Sequence, residues 1–376
     1  MIRTAVLICI LASPHTIVAQ SSLPPGTADR INAVFATFDH DGSPGYAVAV
    51  LKDGRIAFER GYGRADLDCN APITPQTVFH LASLSKQFTA AAVALLILDG
   101  RLSLETPVAE YFPEIARFGA DMRIKHLVYF TSGLPEYTSQ PRQNGDPWFT
   151  AYRFTIDEAI AATLRAKALK FVPGTQWDYS NVNYMILAKI VERVSGMSLA
   201  QFLQARVFRP LGMSHTLVDD DTTVVIPNRA TGYADRGDPD IVSQLNAIGF
   251  TVHSGAGYMR LVRNSPHYGG SGVFSTVGDL AKWDENFYTH AFGGPEFTAQ
   301  MLARCRFQHP KDDDAFGLVF GGYKGRTMIW FSGGDIDAST YMARLPDLHL
   351  TVICLSNILK GDAEGKAMQV LGIVVP

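Results

Sequence analysis

Residues 82–89 read Ala82-Ser83-Leu84-Ser85-Lys86-Gln87-Phe88-Thr89 and open a long apolar run that closes on Leu98-Asp99-Gly100. The run predicts a helix over 81–99, stopped by Gly100 just past its end. Ser83 stands at the start and Lys86 three residues on, so the two side chains share a helix face and can meet. A helix start also offers free N–H groups and a partial positive charge, which suit an anionic transition state. A serine hydroxyl is a poor nucleophile until a base takes its proton. A lysine serves as that base when burial lowers its pKa. Phe79, Leu81, Phe88 and the run Ala90 to Leu98 supply the apolar surroundings. Alone, Ser-x-x-Lys also arises by chance, and Ser83 could simply cap the helix.

Outward from this stretch the periodicity changes. Residues 28–39 follow amphipathic helical spacing. Residues 45–50 and 55–62 are β-rich runs joined by Lys52-Asp53-Gly54, which predicts a hairpin. Downstream, helical segments are expected at 105–115, 121–131, 155–167, 183–195, 198–207, 276–289 and 295–304, with long loops between them. Strands are then expected at 316–323, 326–331, 338–345 and 349–357, and a last helix at 361–374. Strands at both ends and helices between them imply an α+β protein, with one sheet built from both ends and a helical region inserted.

A second segment complements the first. Phe171-Val172-Pro173-Gly174 makes a turn that delivers Tyr179-Ser180-Asn181 to the start of a helix. A tyrosine beside a lysine ammonium loses its proton more easily. It can then relay protons between nucleophile and leaving group. Asn181 can hold the lysine and donate to a substrate carbonyl. A helix-capping loop would use the same residue types.

With both segments in order, the chain resembles the class C β-lactamase-related serine hydrolases. These belong to the β-lactamase and penicillin-binding-protein superfamily and include family VIII carboxylesterases and D-aminopeptidases. Ser83 to Lys86 matches that family's Ser-x-x-Lys motif, and Tyr179 to Asn181 its Tyr-x-Asn motif. Thr131-Ser132-Gly133-Leu134, Pro210-Leu211-Gly212-Met213 and Ser275-Thr276-Val277-Gly278-Asp279-Leu280 agree as well. The resemblance implies that Ser83 is the acylated nucleophile and that Lys86 and Tyr179 share the general-base work. It implies that Asn181 orients substrate and lysine. It also implies an antiparallel sheet of about five strands flanked by helices, beside a mainly helical region, with the site in the cleft between them. The sheet region would take about 28–80 plus 314–376 and the helical region about 81–313.

The third motif of the family departs from its pattern. A basic residue, a small residue and glycine are expected on a strand facing the serine. This chain offers Trp330-Phe331-Ser332-Gly333-Gly334. Ser332 and Gly333 fit, and Phe331 takes the basic position. The N–H of Gly334 remains available to pair with that of Ser83 as an oxyanion hole, commonly the largest contribution to acyl transfer. A basic residue there would bind a substrate carboxylate, a charge-assisted bond of about 1.5–3 kcal/mol. Its loss points to a substrate without an essential carboxylate, such as a short-chain ester or lactone. Two alternatives stand beside this one. The first is β-lactamase or D-amino-acid peptidase activity. The second is a catalytically impaired relative that binds peptidoglycan fragments or a partner protein.

Composition sets the frame. Of the 376 residues 47 % are hydrophobic and 18 % charged, with a net charge of -3. That excludes disorder and argues against a nucleic-acid partner. Arg3, the apolar run Thr4 to Ala12, Pro14 and Ala19 before Gln20 read as a signal peptide over 1–19. The expected location is therefore secreted or periplasmic, with no membrane span after cleavage. Cys69, Cys305 and Cys354 make no disulfide framework. No metal-ligand spacing occurs, so neither metal nor cofactor is expected, and the partner is a small ester, amide or lactam. No Gly-x-Ser-x-Gly brackets a serine, so no Ser-His-Asp triad is expected. Asp312-Asp313-Asp314 reads as a solvated loop. Trp283 and Phe287, at helical spacing, read as core.

Overall fold

The computed structural model describes residues 23–118, 121–305 and 313–375. The expected signal segment lies outside the described residues. Asp53 and Gly54 both take left-handed φ, 50° and 75°. Two such residues turn a hairpin with the twist that strands need, and β1 (Tyr46–Lys52) pairs antiparallel with β2 (Arg55–Tyr62). From the other end come β3 (Asp313–Asp314), β4 (Val319–Tyr323), β5 (Arg326–Asp335), β6 (Ala338–Leu345) and β7 (Leu350–Ser356). They form one antiparallel sheet in the order β3-β4-β5-β6-β7-β1-β2. The two ends of the chain meet where Tyr46 pairs with Ser356 and Lys52 with Leu350. The sheet therefore has seven strands, larger than the resemblance implies, and its outermost strand is two residues long.

Both faces of this sheet are covered, and the alternation of β1 shows how. Tyr46, Val48 and Val50 face the terminal helices α1 (Thr27–Phe35) and, at the far end of the chain, a helix over Ala363–Val374, packing on Ile31, Phe35, Val370 and Leu371. Ala47, Ala49 and Leu51 point the other way, into the helical layer. That layer centres on α2 (Lys86–Leu98), in which every residue from Lys86 to Leu96 is buried. It packs against α3 (Asn181–Ser195). Another helix, α4 (Val277–Thr289), carries Trp283 and Phe287 into the same core. The indole N–H of Trp283 donates to Gln87 Oε1 at 3.0 Å.

Three local departures have physical causes. The expected helix over 81–99 begins as a 3-10 turn, Ala82–Ser85, before α2 takes over. The stretch 105–115 forms only short 3-10 turns, Val108–Glu110 and Pro113–Phe118, because Pro107 and Pro113 interrupt it. A further helix, Pro239–Ala247, is capped by the Asp238 carboxylate; Pro at its first position also favours that start. Among the described residues no helix is long and apolar enough to cross a membrane.

Candidate active site

The turn Ala82–Ser85 positions Ser83. Ala82 is held at φ 47°, a left-handed conformation that an alanine adopts only under constraint. The constraint comes from both sides. Leu81 N–H donates to Val273 O at 2.8 Å, and Leu81 O accepts from Thr340 Oγ1 at 2.8 Å. Ser85 is buried and its hydroxyl accepts from Val273 N–H at 3.0 Å, so the turn presents Ser83 alone to the cleft.

Lys86 opens α2 and is fully buried. Its Nζ donates to Ser83 Oγ at 3.1 Å, Asn181 Oδ1 at 2.8 Å and Gly270 O at 2.6 Å. Burial pushes its pKa down to about 7, although the carboxylates of Glu136 and Asp335 pull it back up. Close to neutrality a sizeable share of Lys86 is therefore an amine with a free lone pair beside the Ser83 hydroxyl.

Tyr179 stands on the other side of Ser83, its hydroxyl 2.8 Å from Oγ and 3.4 Å from Asn181 Oδ1. Burial of that hydroxyl raises its pKa above the ordinary value, opposed by the bond to Ser83 and reinforced by Glu136. The expectation that a lysine ammonium would lower it is not met. Lys86 Nζ lies over the Tyr179 ring, 4.8 Å from its centroid, and Lys86 is itself drawn toward its neutral form. Tyr179 is thus a proton donor at rest, and the neutral amine is the stronger base.

Glu136 was not legible as part of this site. Its carboxylate accepts from Asn181 N–H at 2.7 Å and from Asn181 Nδ2 at 3.4 Å. Its pKa is raised by burial. With the amide nitrogen turned to Glu136, Asn181 presents its oxygen to Lys86. The side chain therefore holds the lysine, and its N–H groups are directed away from a substrate carbonyl.

β5 closes the site. A Cβ on Gly333 would fall 2.9 Å from Ser83 N and 2.4 Å from Leu81 O, so only glycine lets the strand approach the turn. Gly334 has open space at the same position. Phe331 is buried on the face toward the helical layer. Ser83, Phe130, Trp177, Tyr179, Asp314 and Phe331 line a pocket of about 230 Å³, closed along one side by Ser332, Gly333 and Gly334. The expected site residues are thus brought together, with Lys86 and Asn181 behind the pocket wall. Asp314 departs from the solvated-loop reading. It lies in β3, lines the pocket and accepts from the Trp177 indole N–H. Asp312 lies outside the described residues.

A series of hydrogen bonds links Ser271, His80 and Asp337. His80 Nε2 lies 2.9 Å from Ser271 Oγ and His80 Nδ1 2.7 Å from Asp337 Oδ1. It has the residue types of a serine-protease triad, but all three residues are buried and none lines the pocket at Ser83. Its effect is mechanical. It ties the strand Phe79–His80, the turn after β5 and the loop that offers Gly270 O to Lys86. His80, Asp335 and Asp337 place donor atoms within 4.8 Å of one another. Arg229 Nη2, 3.7 Å from Asp337 Oδ2, already supplies positive charge there.

Comparison with known proteins shows the family and the fold. The family model described as Beta-lactamase matches residues 31–374. Penicillin-binding protein 4* of Bacillus subtilis is 30 % identical over 333 residues, 87 % of this chain and 71 % of that protein. A D-aminopeptidase of Gluconobacter oxydans is 32 % identical over 214 residues, 57 % of this chain. The chain spans only 40 % of that enzyme's length. The fold is shared with D-amino acid amidase from Ochrobactrum anthropi SV3, at TM-score 0.75 and 22 % identity over 91 % of this chain and 97 % of that one. It is also shared with EstCE1, a hydrolase with promiscuous acyltransferase activity, at TM-score 0.72 and 21 % identity over 93 % and 99 % of the two chains. This chain belongs to the β-lactamase family and is a serine hydrolase.

Proposed function

We propose that the protein is an exported esterase for small acyl substrates, working through an acyl-enzyme on Ser83. The observation that carries the ester preference is Phe331, an apolar wall where the family resemblance calls for a cation. Neutral Lys86 takes the Ser83 proton as Oγ attacks the carbonyl carbon. The N–H groups of Ser83 and Gly334 receive the oxyanion. The tetrahedral adduct expels the alcohol, which takes its proton from Tyr179. Tyr179 is restored by the proton held on Lys86. Water, deprotonated by the same amine, then cleaves the acyl-enzyme and frees the acid. Asn181 and Gly270 O hold Lys86 in line throughout.

The test is a comparison of p-nitrophenyl butyrate with nitrocefin. The ester is expected to be hydrolysed with the higher kcat/KM, by at least the one to two decades (about 1.5–3 kcal/mol) that a lost carboxylate contact represents. Faster turnover of the β-lactam would contradict the ester reading. Amide cleavage is a second reading, favoured by the D-aminopeptidase relative. It predicts release of p-nitroaniline from a D-amino acid anilide at a rate matching the ester.

Export rests on residues 1–19. Protein recovered from the medium or periplasm is expected to begin near Gln20 by intact mass. A retained Met1 would argue against it.

A further inference from the structure

One short segment, residues 269–273, touches both members of the reacting pair. Lys86 and Thr89 lie three residues apart on α2 and so share a face. They donate to consecutive carbonyls of the segment, Lys86 Nζ to Gly270 O at 2.6 Å and Thr89 Oγ1 to Gly269 O at 2.8 Å. At the other end Val273 holds the nucleophile's turn, accepting from Leu81 N–H and donating to Ser85 Oγ. A Cβ on Gly269 would fall 2.5 Å from Tyr184 O, so the segment also lies against α3. Of the three acceptors of Lys86, Gly270 O alone stands in a stretch without helix or strand. Its position depends on what grips that stretch.

The grip comes from His80. The Ser271 hydroxyl lies 2.9 Å from His80 Nε2, and the Gly272 N–H reaches the same nitrogen at 3.4 Å. A backbone N–H can only donate, so Nε2 accepts. Nδ1 then carries the proton and donates to Asp337 Oδ1 at 2.7 Å. The imidazole also stacks on Phe274, with centroids 5.0 Å apart. The ring is thus held by Asp337 and Phe274 and in turn holds the two residues that follow Gly270.

We infer that His80 is a positioning residue for acyl transfer: through Ser271 it holds the Gly270 carbonyl on Lys86 and so keeps the amine aimed at Ser83. The inference rests on the reading of Ser83 and Lys86 as nucleophile and base, and it adds to that site a residue outside the pocket. A loosened Gly270 carbonyl has two effects. The amine wanders from Ser83, which lowers kcat. The ammonium loses part of an acceptor that favours it, so Lys86 releases its proton more readily. The titratable groups facing Lys86 stay in place: Glu136, Asp335 at the end of β5, Tyr179, Tyr184 on α3 and His267.

The experiment reads kcat/KM for p-nitrophenyl butyrate against pH in Ser271→Ala and His80→Gln, with circular dichroism to confirm the fold. In each folded variant kcat is expected to fall about tenfold while KM stays within about twofold. The acid limb is expected to move to lower pH by about half a unit. A merely structural role would lower the active fraction at every pH and leave the limb where it stands. An unchanged kcat, an unmoved limb or one moved upward overturns the inference. Ser271→Ala removes one hydroxyl and keeps the Gly272 N–H on the imidazole, so it decides the question if His80→Gln fails to fold. The same limb is read from the rate of fluorophosphonate labelling of Ser83, which needs no particular substrate. A shifted labelling limb in a protein that cleaves no ester would overturn the ester reading and leave the inference standing. Folded wild-type protein that takes no label would overturn both.

Discussion

Ser83→Ala is expected to lower kcat on p-nitrophenyl butyrate by about 10⁴–10⁶-fold while the protein stays folded. Among the described residues, the hydroxyl is the only side-chain group within hydrogen-bond reach of both Lys86 and Tyr179 that can carry an acyl group. Its removal leaves Lys86 bonded to Asn181 Oδ1 and Gly270 O, so no buried donor is stranded. Fold and activity therefore separate cleanly. Wild-type protein is expected to be labelled by a fluorophosphonate and the variant not. Labelling that survives the substitution would move the nucleophile elsewhere. Wild-type protein that is folded but takes no label would favour the binding-only alternative.

Lys86→Met is expected to cost about 10²–10⁴-fold in kcat/KM, the usual worth of a positioned general base. Methionine nearly conserves the buried volume, so the comparison isolates the amine. The pH profile carries a second, independent signature. With its pKa lowered to about 7, Lys86 must lose its proton before it can act as base. Wild-type kcat/KM should rise about tenfold per pH unit below 7 and level off above it. Glu136→Gln removes a carboxylate that favours the ammonium, so the acid limb should move to lower pH. A limb that stays put or moves upward would exclude Lys86 as the titrating base. Stability follows the same sign. Between about 7 and the ordinary lysine value of 10.5, the unfolded chain binds a proton that the folded chain has released. Unfolding therefore becomes harder as pH rises through that window, and Lys86→Met should lose that part of the dependence.

Much of the architecture was legible because period and punctuation agree. Asp53-Gly54 forced the hairpin, and the run from Lys86 to Leu98 was too apolar and too long to be anything but a buried helix. What escaped was set by contacts distant in the chain. Ala82 takes its left-handed φ because Thr340 and the strand at Val273 hold Leu81, and neither is visible from residues 79–90. Glu136 lies between Pro135 and Tyr137 in a loop with no motif of its own. It acquires a role only when α3 brings Asn181 to it. Asp314 sat in a run of acids that resembles any solvated turn, and only the pairing of β3 with β4 brings it beside Trp177. Phe331 was the reverse case. Its position in a motif was readable, and the structure adds that its ring is buried toward the helical layer in the wall of the pocket beside Ser83.

The pairing of β1 with β7 has a consequence in time. Strands some three hundred residues apart must find each other before the sheet is continuous, and contacts of such long range are slow to form. Gly333, which presses on the Ser83 turn, is made 250 residues after it. A chain still emerging from the ribosome thus carries Ser83 and Lys86 without the strand that packs against their turn. If Ser83 is the nucleophile as proposed, hydrolytic capacity is expected to appear only when the final strands dock.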